Sequence, residues 1–129
     1  NYNKKDEKGT VCYLWHENVV ETLIKDQTIE TIIIQVLKLF DIKGIRDKKN
    51  IGIWVKNKKI AAIGLRVSMW IAYHGFSINI NNNLKDYNKI LPCGLDNKKI
   101  TSINNENSKK IKNLDKKIIK IFLKNINMI

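Results

Sequence analysis

Apolar residues recur along this chain in two rhythms, and the change from one to the other divides it. From Thr28 onward, Ile29, Ile32, Ile33, Val36, Leu37 and Phe40 fall at i, i+3, i+4, i+7, i+8 and i+11, which is one face of a helix. Asp26 or Thr28 can cap its start, Lys38 and Lys43 suit the negative end of its dipole, and Gly44 reads as a stop. Beyond Gly44 the helical spacing disappears. Residues 51–55 and 59–67 are rich in Ile, Val and Ala, and Lys56-Asn57-Lys58 lies between them, so two strands joined by a tight turn are predicted. A third extended run, 69–73, leads into His74-Gly75 and continues over 76–80 until Asn81-Asn82-Asn83 breaks it. Pro92 then fixes the backbone just before Cys93 and Gly94 lets it turn just after, which presents a small reactive side chain on a bend. Residues 104–110 are polar and read as a loop. Leu114, Ile118, Ile121 and Phe122 return to helical spacing and predict a closing amphipathic helix. Helix, several strands, helix is the order of an α/β or α+β domain.

Composition narrows this only slightly. A chain of 129 residues with 43% hydrophobic content can bury one core, and no apolar run approaches the roughly 20 residues of a membrane span, so one compact soluble domain is expected. The formal charge of +12 invites a nucleic-acid reading. Of the 24 basic residues, however, only Arg46 and Arg66 are arginines, and the lysines are scattered along the chain. Base readout leans on the arginine fork, so compositional bias is preferred to a nucleic-acid partner. A basic surface would still steer an acidic protein partner. The two cysteines, Cys12 and Cys93, lie far apart without a CxxC, which argues against a disulfide framework. Cys12 and His16 stand at i and i+4, but no second pair accompanies them and Val20 occupies the place of the second histidine of H-E-x-x-H, so no metal site is expected.

Several short motifs, taken together, carry more information. Gly52-Ile53-Trp54-Val55, then 59–67 (KIAAIGLRV), Trp70, Tyr73-His74-Gly75-Phe76, Asn79, Pro92-Cys93-Gly94 and Thr101-Ser102 resemble, in register from about Ile29 to Ile103, the octanoyltransferase family, also called lipoyl(octanoyl) transferases or lipoate-protein ligase B. The resemblance implies a mixed β-sheet flanked by helices, the fold of biotin and lipoate protein ligases. It implies transfer of an octanoyl group from acyl carrier protein to a lysine of lipoyl domains, those of 2-oxoacid dehydrogenases or of the glycine cleavage H protein. Cys93 matches the family's acyl-thioester cysteine and Lys59 the lysine that activates it. Ala62-Ile63-Gly64 and Gly75-Phe76-Ser77 match its acyl-binding stretches, with His74 in a supporting role. No cofactor, metal, nucleic acid or membrane is implied, and a monomer is expected. The location implied is the mitochondrion or plastid of a eukaryote, or the cytoplasm of a bacterium.

The chain also departs from the family. An earlier Arg-Gly-Gly stretch followed by Tyr-His-Gly-Pro-Gly-Gln, which lines the acyl site and supplies part of the sheet, has no counterpart here. Residues 1–27 are therefore expected as an unmatched N-terminal segment and 28–129 as a partial catalytic domain. Ala72 and Ser77 stand where the family usually has Thr and Ala. Two other activities keep the same motifs in play: an ATP-dependent lipoate or biotin ligase, which needs no cysteine at 93, and a non-catalytic fragment that binds carrier or lipoyl domains.

The chemistry fits the residues independently of the family. Only a thiolate attacks a carbonyl efficiently, and a neighbouring lysine assists as cation or proton acceptor. Taken alone, Cys93 would be a core cysteine and Lys59 a solvated strand end. His74 with Asn79 as orienter is the competing base, by analogy with thiol proteases.

Overall fold

The computed structural model describes residues 2–5, 11–14, 27–68, 71–84 and 100–127, the side chains of 2–5, 11–14, 66–67 and 71–74 excepted. The helical stripe forms α1, Thr28–Lys38, and buries Ile29, Ile32, Ile33, Val36 and Leu37. Its start differs from expectation. Gln27 sits at the N-cap in the left-handed region (φ 56°) without a side-chain cap bond, and Asp26 lies outside the described residues. Its end differs too: the chain turns at Asp41 (φ 59°), and Gly44 serves packing instead. A Cβ at Gly44 would lie 2.7 Å from Leu37 Cδ1 and 2.8 Å from Ile53 Cγ2, so the glycine lets the first strand after the helix approach α1 closely.

The remaining elements are β1 (Tyr2–Lys5), β2 (Val11–Leu14), β3 (Ile45–Arg46), β4 (Ile53–Val55), β5 (Lys58–Ser68), β6 (Ile71–Ile78), α2 (Ile103–Glu106) and α3 (Leu114–Asn125). The strands form one sheet in the order β1-β2-β6-β5-β4-β3, and every named pair is antiparallel. A lone parallel bridge joins Lys59 to Ile100. The architecture is thus the helix-flanked sheet that the sequence implies. Strands β1 and β2, which fall within residues 1–27, join the sheet through the pairing of β2 with β6.

Two turns explain the central strands. Lys56 and Asn57, at φ 49° and 68°, give β4 and β5 the two-residue hairpin whose twist matches that of its strands. The two extended runs anticipated around His74-Gly75 are one strand, β6, which pairs with β5 from Ala61↔Ile78 to Ser68↔Ile71. The stretch 104–110, expected as a polar loop, begins inside α2, because the Ser102 side chain accepts from the Asn105 N–H and caps a single turn.

The helices α1 and α3 cover one face of the sheet. Ile53, Val55, Ile60, Ala61, Phe76 and Ile78 meet the α1 stripe and Ile118, Phe122 and Ile126 in one buried cluster. Asn125 Nδ2 donates to Gln35 Oε1 at 2.8 Å and links the two helices at their polar edge. The exposed Lys109–Asp41 pair at 3.4 Å adds little, being screened by water. Gly44→Ala is expected to overpack this core and to lower the unfolding free energy by about 1–3 kcal/mol, read by urea titration at unchanged m-value.

Candidate active site on the open face of the sheet

The opposite face of β5 and β6 lacks a helical cover among the described residues. Which side chains reach it depends on one irregularity. Trp54 pairs with Lys59 but its neighbour Ile53 pairs with Ala61, so Ile60 is an extra residue in β5, a β-bulge. Strict alternation would put Lys59 on the same face as Ala61, Ile63 and Leu65, toward the helices. The bulge breaks that phase. Ile60 and Ala61 are both buried in the core, while Ala62 and Gly64 are exposed beyond them. Lys59 accordingly shares the open face with Ala62 and Gly64.

Its surroundings agree. A Cβ at Gly52 would meet Lys59 Cε at 2.6 Å, and Lys59 Nζ stands 6.0 Å from the centroid of the Trp54 ring. Trp54 lies between Ile53 and Val55, which both join the helix-side core, and is itself outside that cluster. Its indole N–H donates to Asn50 O at 3.1 Å, and its ring contributes to the wall of an open depression of about 580 Å³ with Ile45, Arg46 and Asn57. Across the hairpin, Ala62 stands opposite Ser77 and Gly64 opposite Gly75. Four small residues in adjacent rows thus leave a shallow, nearly side-chain-free strip of sheet running away from Lys59. A Cβ at Gly64 would meet nothing within 4 Å.

The residues anticipated for the site therefore separate. Lys59, Ala62, Gly64, Gly75 and Ser77 come together on the open face. Ile63 and Phe76 stand opposite each other on the helix side, Phe76 buried in the core and Ile63 packed against it. Only their backbones border the strip. The His74 backbone is opposite Leu65. Cys93, with Pro92 and Gly94, lies outside the described residues, as do His16, Met69 and Trp70.

From Ile100 onward the described chain lies beside Lys59. Ile100 bridges to Lys59, and the Thr101 N–H donates to Lys59 O at 2.9 Å. The buried Thr101 is held further: its hydroxyl donates to Glu106 Oε2 at 2.9 Å and its carbonyl accepts from Asn79 Nδ2 at 3.2 Å. Asn79 also donates its N–H to Ile60 O and accepts at its carbonyl from the Ile103 N–H. Asn79, considered above as an orienter for His74, thus clamps the chain at Thr101 and Ile103 to the bulged end of β5. Gly52, Trp54 and Thr101 were visible only as parts of motifs. The positive φ of Gly52, 136°, depends on pairings that composition does not reveal.

The model of the lipoyl protein ligase A/B catalytic domain matches residues 7–124. The chain belongs to this family. The match includes strand β2. Among curated relatives, the octanoyltransferase of Rickettsia bellii (strain OSU 85-389) is 48% identical over 59% of this chain and 39% of its own length. The octanoyltransferase of Prochlorococcus marinus (strain MIT 9312) is 44% identical over 70% of this chain and 44% of its own. The chain thus spans about two fifths of the length of these relatives. Among solved structures, P. falciparum LipL1 in complex with lipoate superposes with a TM-score of 0.67 at 21% identity, covering 98% of this chain and 39% of that one. Biotin protein ligase from Aquifex aeolicus gives 0.67 at 16% identity, covering 91% and 52%. These two likenesses establish the fold. Within this ligase-family fold no helix of the described residues is long and apolar enough to cross a membrane, and no three His, Cys, Asp or Glu side chains among them gather as metal ligands.

The Asn79 clamp has a measurable consequence. Asn79→Ala should cost about 1–3 kcal/mol by leaving a buried carbonyl without its donor. Hydrogen exchange at the Thr101 amide should accelerate more than exchange at Ile33 in the helical core; equal acceleration at both would show that the clamp is not local.

Proposed function

We propose that this chain forms part of an octanoyltransferase that moves an octanoyl group from acyl carrier protein to a lysine of a lipoyl domain through a thioester on Cys93. The observation that carries the reading is the bulge-directed placement of Lys59 beside the strip of Ala62, Gly64, Gly75 and Ser77. A cation or proton acceptor adjoins a smooth track on which a straight acyl chain can lie without meeting side chains. The names of the curated relatives agree with it, and so does the motif match at Cys93.

The course of the reaction balances without ATP. The Cys93 sulfur attacks the carrier thioester carbonyl, the bond to the carrier sulfur breaks, and the proton released from Cys93 passes by way of Lys59 to the departing carrier thiol. The product of this step is octanoyl-Cys93. After exchange of partner proteins, the acceptor lysine's neutral amine attacks the same carbonyl, the bond to Cys93 sulfur breaks, and an amide forms. Lys59 takes the surplus amine proton and returns it to the Cys93 sulfur. Thioester to thioester is near balance and thioester to amide is downhill, so no other energy source is needed.

Negative charge developing on the carbonyl oxygen requires donors. Gly75, with φ 123°, lies in β6 between β2 and β5, so its own N–H faces a neighbouring strand; the missing side chain at 75 instead leaves room for a donor N–H from another segment to approach. One such donor contributes about 3 kcal/mol to transition-state stabilisation. The acceptor is a lipoyl domain, drawn from a 2-oxoacid dehydrogenase or the glycine cleavage H protein, and the basic surface favours encounter with an acidic carrier.

Incubation with octanoyl-acyl carrier protein in the absence of ATP should add one octanoyl group by intact mass, and Cys93→Ala should abolish it. Lys59→Ala should keep the fold and slow adduct formation by two to four orders of magnitude, on the order of general acid–base contributions. Strict dependence on ATP would instead indicate a ligase. Carrier or lipoyl-domain binding with no adduct would indicate a non-catalytic module.

A further inference from the structure

Lys59 carries no activity merely by lying on the correct face. A lysine has four rotatable side-chain bonds, and an unheld ammonium on an open sheet would sweep through solvent. Three features limit it. The backbone is held on both sides, by Trp54 in β4 on one and by the Thr101 N–H and Ile100 bridge on the other. The side chain then runs over Gly52, whose missing Cβ would stand 2.6 Å from Lys59 Cε and 3.3 Å from Lys59 Nζ. Beyond that the ammonium faces the Trp54 ring at 6.0 Å. The indole is held in turn by its bond to Asn50 O, at the end of a loop that Asp47 closes by accepting from the Lys49 N–H at 2.9 Å and from Asn50 Nδ2 at 3.1 Å.

We propose that Gly52 and Trp54 are positioning residues for Lys59: Gly52 provides the trough in which the lysine stem lies, and the Trp54 ring face is the stop against which its ammonium rests. This rests on the role given to Lys59 above. The trough requires glycine for three reasons: a Cβ would occupy the volume of the Lys59 stem, it would stand 2.8 Å from the Ala61 backbone carbonyl, and the backbone at 52 adopts φ 136°, which L residues rarely take. The last two act on the fold, so only the part of a Gly52→Ala effect that disappears in the Lys59→Ala background belongs to the lysine. Trp54 requires a ring face, because the attraction between a cation and the π-quadrupole acts at about this range and an aliphatic side chain lacks it. Lys59 is not among the residues that wall the depression beside Trp54, Ile45 and Arg46.

The test has a conformational and a kinetic arm. In the protein labelled at lysine and tryptophan, nuclear Overhauser contacts between the Lys59 ε-methylene and the Trp54 indole protons are expected; their absence would overturn the proposal. In the kinetic arm, Gly52→Ala should slow octanoylation of Cys93 at least tenfold with the half-saturating carrier concentration unchanged. It should produce no further slowing in a Lys59→Ala background. Equal slowing in both backgrounds would mean that Gly52 acts on the fold and not through Lys59, and would overturn the proposal. Should Gly52→Ala fail to fold, Trp54 carries the kinetic arm: Trp54→Leu should slow acylation severalfold more than Trp54→Phe, and that difference should vanish when Lys59 is replaced. Indistinguishable Leu and Phe variants would count against the ring. A Lys59→Ala protein that acylates at the normal rate would sink the dyad instead, and the Overhauser contacts would still decide whether Gly52 and Trp54 hold the side chain.

Discussion

One extra residue in β5 governs the rest of this site. Ile60 opposes no residue of β4, and its insertion lets Ile60 and Ala61 both point into the core. Without it the period of two would send Lys59 toward α1 and α3, where a lysine would have to give up its hydration among Ile and Phe side chains. With it, the apolar residues keep their burial and the lysine keeps water and ring contact. The bulge therefore reconciles two demands on consecutive residues: a continuous hydrophobic floor and a polar group on top of it. The Asn79 and Thr101 hydrogen bonds converge on the same point, at Ile60 O and Lys59 O. The position at which the sheet departs from regularity is thus tied by two further backbone bonds from outside the β4–β5 ladder.

The core and the open strip of small residues are consequently two sides of one strand pair. Phe76 and Ile63 look into the helices, and the residues that alternate with them, Gly75, Ser77, Ala62 and Gly64, form the strip. Smallness on one face and bulk on the other have a common logic. The bulky face anchors β5 and β6 against α1 and α3, so the small face needs no side chains of its own to stay rigid. An acyl chain lying on it would meet an ordered floor, and binding would lose little through ordering of the protein.

Much of this was legible in the sequence, and the exceptions share a cause. The helix over 28–40, the β4–β5 hairpin and the closing helix follow from local periodicity and turn chemistry, and they appear where periodicity places them. Features that depend on pairing were not legible. Lys59-Ile60-Ala61-Ala62-Ile63 contains no signal that says which residue is extra, because Ile and Ala are compatible with either face. Gly44 reads as a helix stop from composition, whereas the contact with Leu37 and Ile53 that requires it is made only once β4 crosses α1. The strands β1 and β2 went unanticipated because β1 is mostly polar, the apolar run of β2 is only four residues long, and β2 finds its partner far along the chain in β6. For the site, the motifs pointed to Lys59 and to both small-residue stretches, but they treated Ala62-Ile63-Gly64 and Gly75-Phe76-Ser77 as uniform triplets. The pleat divides each triplet between two faces.

The central claim is that Lys59 and the strip of small residues form one surface on the side of the sheet opposite the helices. Isotope-filtered nuclear Overhauser spectra of the octanoyl-loaded protein test it most directly. The account predicts contacts from the octanoyl methylenes to the Ala62 methyl, the Gly64 and Gly75 α-protons and the Lys59 ε-methylene, with none to the side chains of Ile60 or Phe76. Contacts to Ile60 and Phe76 in place of Ala62 and Lys59 would put the acyl chain on the helix side and contradict the account.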